Sequence, residues 1–573
     1  MSISAEIREL IRKLAVKNAI DYGSAKEGPI LAKVISKDPS LKSDIKGLNA
    51  EIKSILSEVN SLGKQELERE YGIHSEEFEK EAALKAEKSA THNFSVQGAE
   101  QGKFVTRFPP EPGGYMHIGH AKPLFVEDEL RRVYNGKLLL YFDDTNPDNE
   151  RQEFVDAFHE DLKWLGVGFD REYYASDNIP KLYEYAGMAI KRGRAYVCMC
   201  DGERIKQYRM EGKGCDHKSR GLEENLALWK QMLSGKFGDN GAILRFNSDM
   251  GAINTTMRDP TLFRIKHAPH YRQGTKYFVW PTYDFCTPIL DSANGITDVV
   301  RSKEYELRDE LYFSVLDALG LRRPRITSFS RLEISNNVTS KRKIRELIAQ
   351  KRISGWDDPR LVTIRALRRR GITAGAIKEF SLSFGLGKAE SVVDIEMLLS
   401  INRKILEPTA KHLFLVDAPK AMHVEGSEGR TVEMRLNAQS DLGYRRYKLT
   451  GDLFINASDS NRLQKGDTVR LKDAFNVIVK GVGEKIEATY QGGDAKTDMP
   501  RIQWIPRDGA MECELVHIGD LLEGERMNEK SMERTIGYAE AYASNLKEGD
   551  VVQFERRGLF KLGNGKTMSF LSM

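Results

Sequence analysis

Cysteine is scarce in this chain. Its five copies are too few and too clustered to staple a fold, which excludes a disulfide framework and fits a reducing compartment. Long apolar runs are missing as well, so no segment is expected to span a membrane. The opening residues, MSISAEIREL, lack the apolar core of a signal peptide. Net charge is slight: 88 Lys and Arg stand against 84 Asp and Glu, giving +4. A chain basic throughout is thereby excluded, and any nucleic-acid surface has to be local. The expectation is a soluble, cytoplasmic protein with room for roughly three to five domains.

Residues 104–120, FVTRFPPEPGGYMHIGH, organise the rest. Phe104, Val105 and Phe108 read as the end of a buried strand. Pro109, Pro110 and Pro112 forbid regular structure after it, and Gly113 with Gly114 lets the backbone turn freely. Helical periodicity resumes through Ala121, Leu124 and Phe125. His117, Gly119 and His120 thus sit at a helix opening, where unpaired N–H groups and a partial positive charge suit an anion. The two histidines share one helix face, and their imidazoles can donate to phosphate oxygens as charge builds in a transition state. Gly119 leaves room for a flat ring against the backbone. Alone, His-x-x-His is more often a pair of surface histidines. The Arg-Phe-Pro-Pro-Glu-Pro loop before it and a second signature downstream reverse that reading.

Residues 1 to about 95 read as helical. Ile3, Ile7, Leu10, Ile11 and Leu14 fall on one face, and Ile52, Ile55, Leu56 and Val59 repeat the pattern. This antiparallel appendage is either a nucleic-acid or protein contact or a solubilising extension. Residues 91–103 read as a linker. Further on, LLLYF at 138–142 suits a buried parallel strand. Open α/β sheets bind ligands at strand carboxyl ends, so Asp143 is expected to face the same site as His117 and hold an ammonium group. Asp144 and Thr145 are left to cap the next helix.

Cys198, Cys200, Cys215 and His217 supply the four donors of a closed tetrahedral zinc site; the alternative is cysteine pairs buried without metal. A strand-like stretch at 277–285 leads to a strand end at Asp291. Arg301 then stands where another apolar strand stops, suited to a planar carboxylate; the alternative is an ion pair with an acid such as Glu304. VTSKRK at 338–343, after Arg331, is a basic loop whose lysine can close over phosphates, although basic runs are commonly solvated faces. Arg365, Arg368, Arg369 and Arg370 form a basic helix suited to phosphate contacts. From about 410 apolar and polar residues alternate, at 413–416, 431–436, 453–455, 477–479 and 551–554, which suggests barrels.

His117-Ile118-Gly119-His120 with Thr339-Ser340-Lys341-Arg342 resembles the HIGH and KMSKS signatures of class I aminoacyl-tRNA synthetases. TRFPPEPGGYMHIGHAK, FDDTNP, RDPTLFRI, WPTYDF and GWDDPRLVTIRALRRRG narrow the resemblance to the glutamyl/glutaminyl group of archaeal and eukaryotic type, over about residues 100–573. Val338 stands where the KMSKS pattern has its first lysine, a departure this group tolerates. ITDVVRSKEY resembles the glutamyl branch, whose matching arginine pairs with the substrate γ-carboxylate. The physics agrees. An anionic side chain leaving water needs a charged partner, whereas an amide facing a buried arginine leaves donors opposed, at about 1–3 kcal/mol. FERRG at 554–558 resembles a family string near the anticodon.

The resemblance implies an α/β fold. A Rossmann-type catalytic domain at 99–190 and 280–330 is split by an acceptor-stem-binding insertion with the zinc knuckle at 191–279. A helical appendage and linker precede it at 1–98. A KMSKS-type loop and helical stem-contact domain at 331–405 and anticodon-binding β-barrels at 406–573 follow. The implied reaction is ATP-dependent activation of L-glutamate to glutamyl-adenylate, then transfer to the 3′-terminal ribose of tRNA, with bound tRNA required for activation. By resemblance His117, His120, Ser340 and Lys341 are catalytic. Glu111, His117, Gly119, His120, Arg331 and Lys341 serve ATP, and Arg107, Asp143, Tyr283 and Arg301 serve glutamate. Mg2+ accompanies ATP, and one structural zinc is expected. The partners are glutamate tRNA and, on the archaeal-type resemblance, glutamine tRNA; the chain is expected to act as a monomer. The rival readings are a glutaminyl-tRNA synthetase, a non-catalytic tRNA-binding protein, and another HIGH-containing nucleotidyltransferase.

Overall fold

The computed structural model describes residues 4–22, 25, 27–37, 41, 45–74, 94–493, 499–563 and 567–572. The chain forms two units, Met1–Ser95 and Val96–Met573. In the first, the described residues make helices α1 (Ala5–Tyr22), α2 (Glu27–Lys37), α3 (Ile45–Ser61) and α4 (Lys64–Ile73). Ile11, Leu14, Ile52, Ile55, Leu56 and Val59 bury together with Ile30 and Val34, while Ile7 and Leu10 pack at the edge. Ile3 lies outside the described residues, as do residues 91–93 of the expected linker. Val96 already belongs to the second unit; it is buried, and its N–H donates to Tyr134 Oη at 2.8 Å.

The second unit opens on a parallel sheet. Strands β1 (Val105–Phe108), β2 (Lys137–Phe142) and β3 (Arg171–Tyr174) pair in the order β1-β2-β3. Helices α5 (Ile118–Val133) and α6 (Gln152–Leu165) connect them. Leu138, Leu140 and Phe142 pack against Ala121, Leu124, Phe125 and Phe158 of these helices, which is why β2 reads as an unbroken apolar run.

After α7 (Ile179–Lys191) comes an antiparallel sheet of β4 (Ala195–Cys198), β5 (Ile243–Phe246), β6 (Thr261–Ile265) and β7 (Val279–Pro281). Helices α8 (Gly202–Glu211) and α9 (Leu222–Leu233) lie in the excursion from β4 to β5. The stretch at 277–285 is therefore not one strand. It stops at Pro281, and α10 (Tyr283–Ala293) begins two residues later, so Asp291 lies in a helix rather than at a strand end.

The parallel sheet then resumes with β8 (Asp298–Ser302), α11 (Asp309–Leu319) and β9 (Arg325–Phe329). Thr297 joins β8 to β1. Its N–H donates to Val105 O at 2.9 Å, and Val105 N–H donates to Thr297 Oγ1 at 2.8 Å. The parallel order thus reads β3-β2-β1-β8-β9, and strand order reverses beside β1, the position where open α/β sheets bind ligands. Helices α12 (Lys341–Ala349), α13 (Ile364–Arg370), α14 (Ala374–Leu382) and α15 (Ile395–Leu406) follow.

The C-terminal region holds two seven-stranded sheets, one nested inside the other. One takes residues 411–413 and 415–416 and then strands from 511 to 572; the other is built from 419 to 506. A fully buried pair, Arg445 Nε to Glu540 at 2.9 Å, links segments from the two excursions. FERRG does the same through its first two charges, while its third pairs with the connection between the two sheets. Glu555 pairs with Lys472, Arg556 with Asp459 at 3.0 Å and Arg557 with Asp417 at 2.7 Å.

Candidate active site

The loop after β1 carries the chain to α5, and His117 is the N-cap of that helix. Its Nδ1 accepts the Gly119 N–H at 3.0 Å, while His120 Nδ1 accepts the His117 N–H at 3.2 Å. A ring nitrogen that accepts cannot carry the proton, so both imidazoles are Nε2–H tautomers with that donor free. Burial, then the charges of Lys341 and Arg331, hold His117 down at about 3. Burial and His117 push His120 well below the usual histidine range. The two rings, 3.9 Å apart, are neutral donors at the positive end of a helix.

Gly119 makes this geometry possible. A Cβ there would lie 2.8 Å from His117 Cε1, so the flat ring it accommodates in this structure is His117's own. Ile118 N–H donates to Val362 O and Ile364 N–H to Met116 O, each at 2.9 Å, which pins the signature to the start of α13.

Gly113 and Gly114 do not adopt positive φ. Their missing side chains leave room beside Lys341. The Lys341 side chain lies across them, and a Cβ on Gly114 would come within 3.0 Å of Lys341 Cδ. Lys341 Nζ reaches Glu111 Oε2 at 3.2 Å, so the second signature already touches the loop before the first. Arg345 braces the contact through Gly113 O at 2.8 Å. Ser340 is the N-cap of α12, with no side-chain capping bond. Val338 is buried with Ile344, Ile353, Leu361 and Leu521, which explains why lysine is missing there. Arg331 is exposed and pairs with Glu304 at 3.1 Å.

Four residues converge beside this loop. Arg107 on β1 is fully buried against Asp291, with Nε to Oδ1 at 2.8 Å and Nη2 to Oδ2 at 3.2 Å. Tyr312 Oη donates to the same carboxylate at 2.9 Å. Arg301 on β8 pairs with Asp309, not Glu304, and donates from Nη1 to Tyr283 Oη at 3.1 Å. Its guanidinium faces the rings of Tyr312 and Tyr305 at 5.1 and 5.8 Å. Nη1 of Arg107, Nε of Arg301 and Oδ1 of Asp143 are buried without a hydrogen-bond partner. Burial, then repulsion from Glu111, pushes Asp143 up to about 7, with Arg107 opposing. Burial raises Tyr283 to about 12 against the pull of Arg301 and Arg107. Arg107 thus acts electrostatically on both Asp143 and Tyr283, and Arg301 acts on Tyr283.

Asp144 and Thr145 do not cap α6, which opens at Arg151 without a side-chain cap. Asp144 instead accepts from Ser176 N–H and Oγ at 2.8 Å each and from Tyr271 Oη at 2.9 Å. Beneath it Glu150, raised to about 10 by burial and by Asp144, lies 3.4 Å from His270 Nε2. Sequence patterning missed this buried support, and it missed Lys122. That lysine donates to Ser330 O at 2.5 Å and Ser330 Oγ at 3.0 Å, and burial lowers it to about 8. The only signal in the chain was a lysine on the apolar face of α5.

In the inserted sheet, the ligand atoms of Cys198, Cys200, Cys215 and His217 lie within 4.8 Å of one another. The Sγ atoms of Cys198 and Cys215 are 3.8 Å apart, and His217 Nδ1 is 3.6 Å from Cys198 Sγ and 3.3 Å from Cys200 Sγ. Zinc at its usual bond lengths sets tetrahedral edges of about 3.8 Å between sulfurs and about 3.5 Å between sulfur and nitrogen, so the donor set fits the ion. Arg245 and Tyr196 approach Cys215 Sγ at 3.9 and 3.8 Å, the outer support such ligands usually have.

On α13, Arg365 pairs with Glu160, Arg368 lies over the Trp164 ring at 5.6 Å and Arg369 pairs with Asp357 at 3.0 Å. Arg370 departs from the expectation of a phosphate contact. It is buried, donates to Ile518 O at 3.2 Å and is lowered to about 10 by burial. As the last residue of the helix it turns toward the C-terminal sheet.

A reversal-point sheet, a histidine signature at a helix opening and a second signature lying over it define a nucleotide-activating class I enzyme. The family model for the catalytic domain of class I (E and Q) tRNA synthetases matches residues 103–408. Two models for the anticodon-binding domain of the same synthetases match 410–491 and 501–562. The chain belongs to this family. It is 39% identical to a glutamate–tRNA ligase of Nitrosopumilus maritimus over 96% of this chain and 97% of the relative. It is 35% identical to one of Cenarchaeum symbiosum over 96% of each, and 34% identical to one of Pyrococcus furiosus over 97% of each.

Proposed function

We infer that the protein is a glutamate–tRNA ligase. In the first step an oxygen of the glutamate α-carboxylate attacks the ATP α-phosphorus; the new P–O bond forms as the bond to pyrophosphate breaks. In the second, the terminal ribose hydroxyl of tRNA attacks the activated carbonyl and AMP leaves. The chemistry is positioning and charge stabilisation, without a covalent enzyme nucleophile. The Nε2–H groups of His117 and His120 donate to phosphate oxygens. Lys341, helped by Ser340, follows the departing pyrophosphate, and Mg2+ enters with ATP. Glu111 and Arg331 flank the phosphates. Asp143 and Tyr283 hold the α-ammonium group, and Arg107 fixes the pocket wall through Asp291.

One observation carries the substrate assignment. Arg301 is a buried arginine whose Nε has no hydrogen-bond partner in the protein, and it faces Tyr283 and Tyr305, the second of which also feels the charge of Asp143. Such a donor matches an anionic side chain and opposes an amide. Tyr283, Asp143 and Arg107 do not separate glutamate from glutamine. One zinc held by Cys198, Cys200, Cys215 and His217 would leave no open position and so serve structure. Arg365, Arg368 and Arg369 offer cations to the tRNA backbone. Glutamine tRNA as a second acceptor, a monomeric state and a cytoplasmic setting extend the same reading. Pyrophosphate exchange in the presence of tRNA tests it. Exchange is expected with glutamate and not glutamine, and Arg301→Ala is expected to abolish it while the melting temperature holds. Undiminished glutamate exchange by that variant would remove the substrate assignment.

A further inference from the structure

We propose that Asp309 is an exchangeable internal counter-ion of Arg301, which the substrate side chain must displace, and that it thereby limits the preference for an anionic over a neutral side chain. The proposal rests on the reading of Arg301 as the partner of the substrate γ-carboxylate.

The two arginines of the pocket are paired in different ways. Asp291, the acid on Arg107, has no exposed side-chain surface, accepts two bonds from Arg107 and a third from Tyr312. It cannot leave without stranding a buried guanidinium. Asp309 is a single-point partner. Its side chain is 32% exposed, while that of Arg301 is 6% exposed. It opens α11, where water can take over its carboxylate and the helix end still favours its charge. Arg308, beside it, is already engaged with Asp284, so Arg301 is the cation Asp309 balances.

Charge balance in the pocket then decides what happens on binding. Arg301 with Asp309 is neutral, and Arg107 with Asp291 is neutral. A glutamate side chain arriving at Arg301 brings a second carboxylate to one guanidinium in a mostly buried space, and like charges there repel. Asp309 yields to water because it is the exposed member. Glutamine brings no charge and does not meet that repulsion. The free site is therefore held closer to neutral than a lone arginine would make it, and selectivity for the anion is lower than Arg301 alone could give.

The test replaces the charge and keeps the shape. In Asp309→Asn, the glutamate KM in tRNA-dependent pyrophosphate exchange is expected to fall about five- to tenfold, the scale of one like-charge term in a half-buried site. The inhibition constant of glutamine should change by less than about twofold, because a neutral ligand does not sense the deleted charge. Asp309→Glu should behave as wild type. Asparagine keeps the size of the side chain at the first residue of α11, so the fold is expected to survive, with the melting temperature as the check. A glutamate KM that stays level or rises in Asp309→Asn overturns the proposal, since Asp309 would then only position Arg301. Equal shifts for glutamate and glutamine overturn it too. A wild-type enzyme that exchanges with no glutamate at all would instead sink the functional reading beneath it.

Discussion

His117 and His120 carry their chemistry in atoms that the signature does not name. The motif predicts two imidazoles on one helix face; the structure adds that backbone N–H groups claim both Nδ1 atoms. The donors that remain are fixed as Nε2–H without any need for charge. Asp143 offers a test at the same scale. Its carboxyl is raised to about 7, mainly by burial, so the proton is held below that pH and released above it. An ammonium ligand needs the released form. The glutamate KM is therefore expected to rise as pH falls through about 7, approaching tenfold per unit further down, and Asp143→Asn should flatten the profile. The sign for stability runs the other way. The raised carboxyl favours the fold most below the ordinary aspartate range, and that contribution is lost as pH rises through about 7. A KM constant from pH 6 to 8, on the order tested by such profiles, would contradict the assignment. Residues with a motif were legible in the sequence: His117, His120, Lys341, Arg301 and the four metal-type donors. Their partners were not. Asp291 and Asp309 reach the arginines through tertiary packing, and no local pattern distinguishes them from other helix acids.

Among the elements, the strand–loop–helix unit at 105–133 was legible because periodicity changes sharply across three prolines. The stretch at 277–285 was misread as one strand because its aromatic run continues across Pro281 into α10. The second signature shows a departure with a structural cause, Val338 in an apolar cluster. Restoring the pattern by Val338→Lys would bury an ammonium group without a partner. The expected result in a denaturant melt is a loss of about 2–4 kcal/mol with no gain in exchange rate; unchanged stability would show that the loop relaxes around the charge. The inserted sheet makes a separate prediction. Metal analysis should find about one zinc per chain, and Cys200→Ser or chelation should raise amide exchange in β4 and the 215–219 turn. Equal protection in metal-free protein would make these side chains simply core residues.

For the whole molecule, near-zero net charge excluded a uniformly basic surface. On α13 Arg368 and Arg369 are exposed, Arg365 is half-buried against Glu160 and Arg370 faces inward. Alternating patterns after 410 indicated barrels, yet not that one sheet is interrupted by the whole of the other; nesting depends on pairing between strands far apart in sequence, as between 411–413 and 551–554. On the reading inferred above, this chain joins glutamate to tRNA through a pocket keyed to a carboxylate. Aminoacylation with labelled glutamate and labelled glutamine, each against purified glutamate tRNA and glutamine tRNA, tests it most directly. The expected products are glutamate on glutamate tRNA, with glutamate on glutamine tRNA marking a second acceptor, and no glutamine on either. Glutamine joined to glutamine tRNA would contradict it.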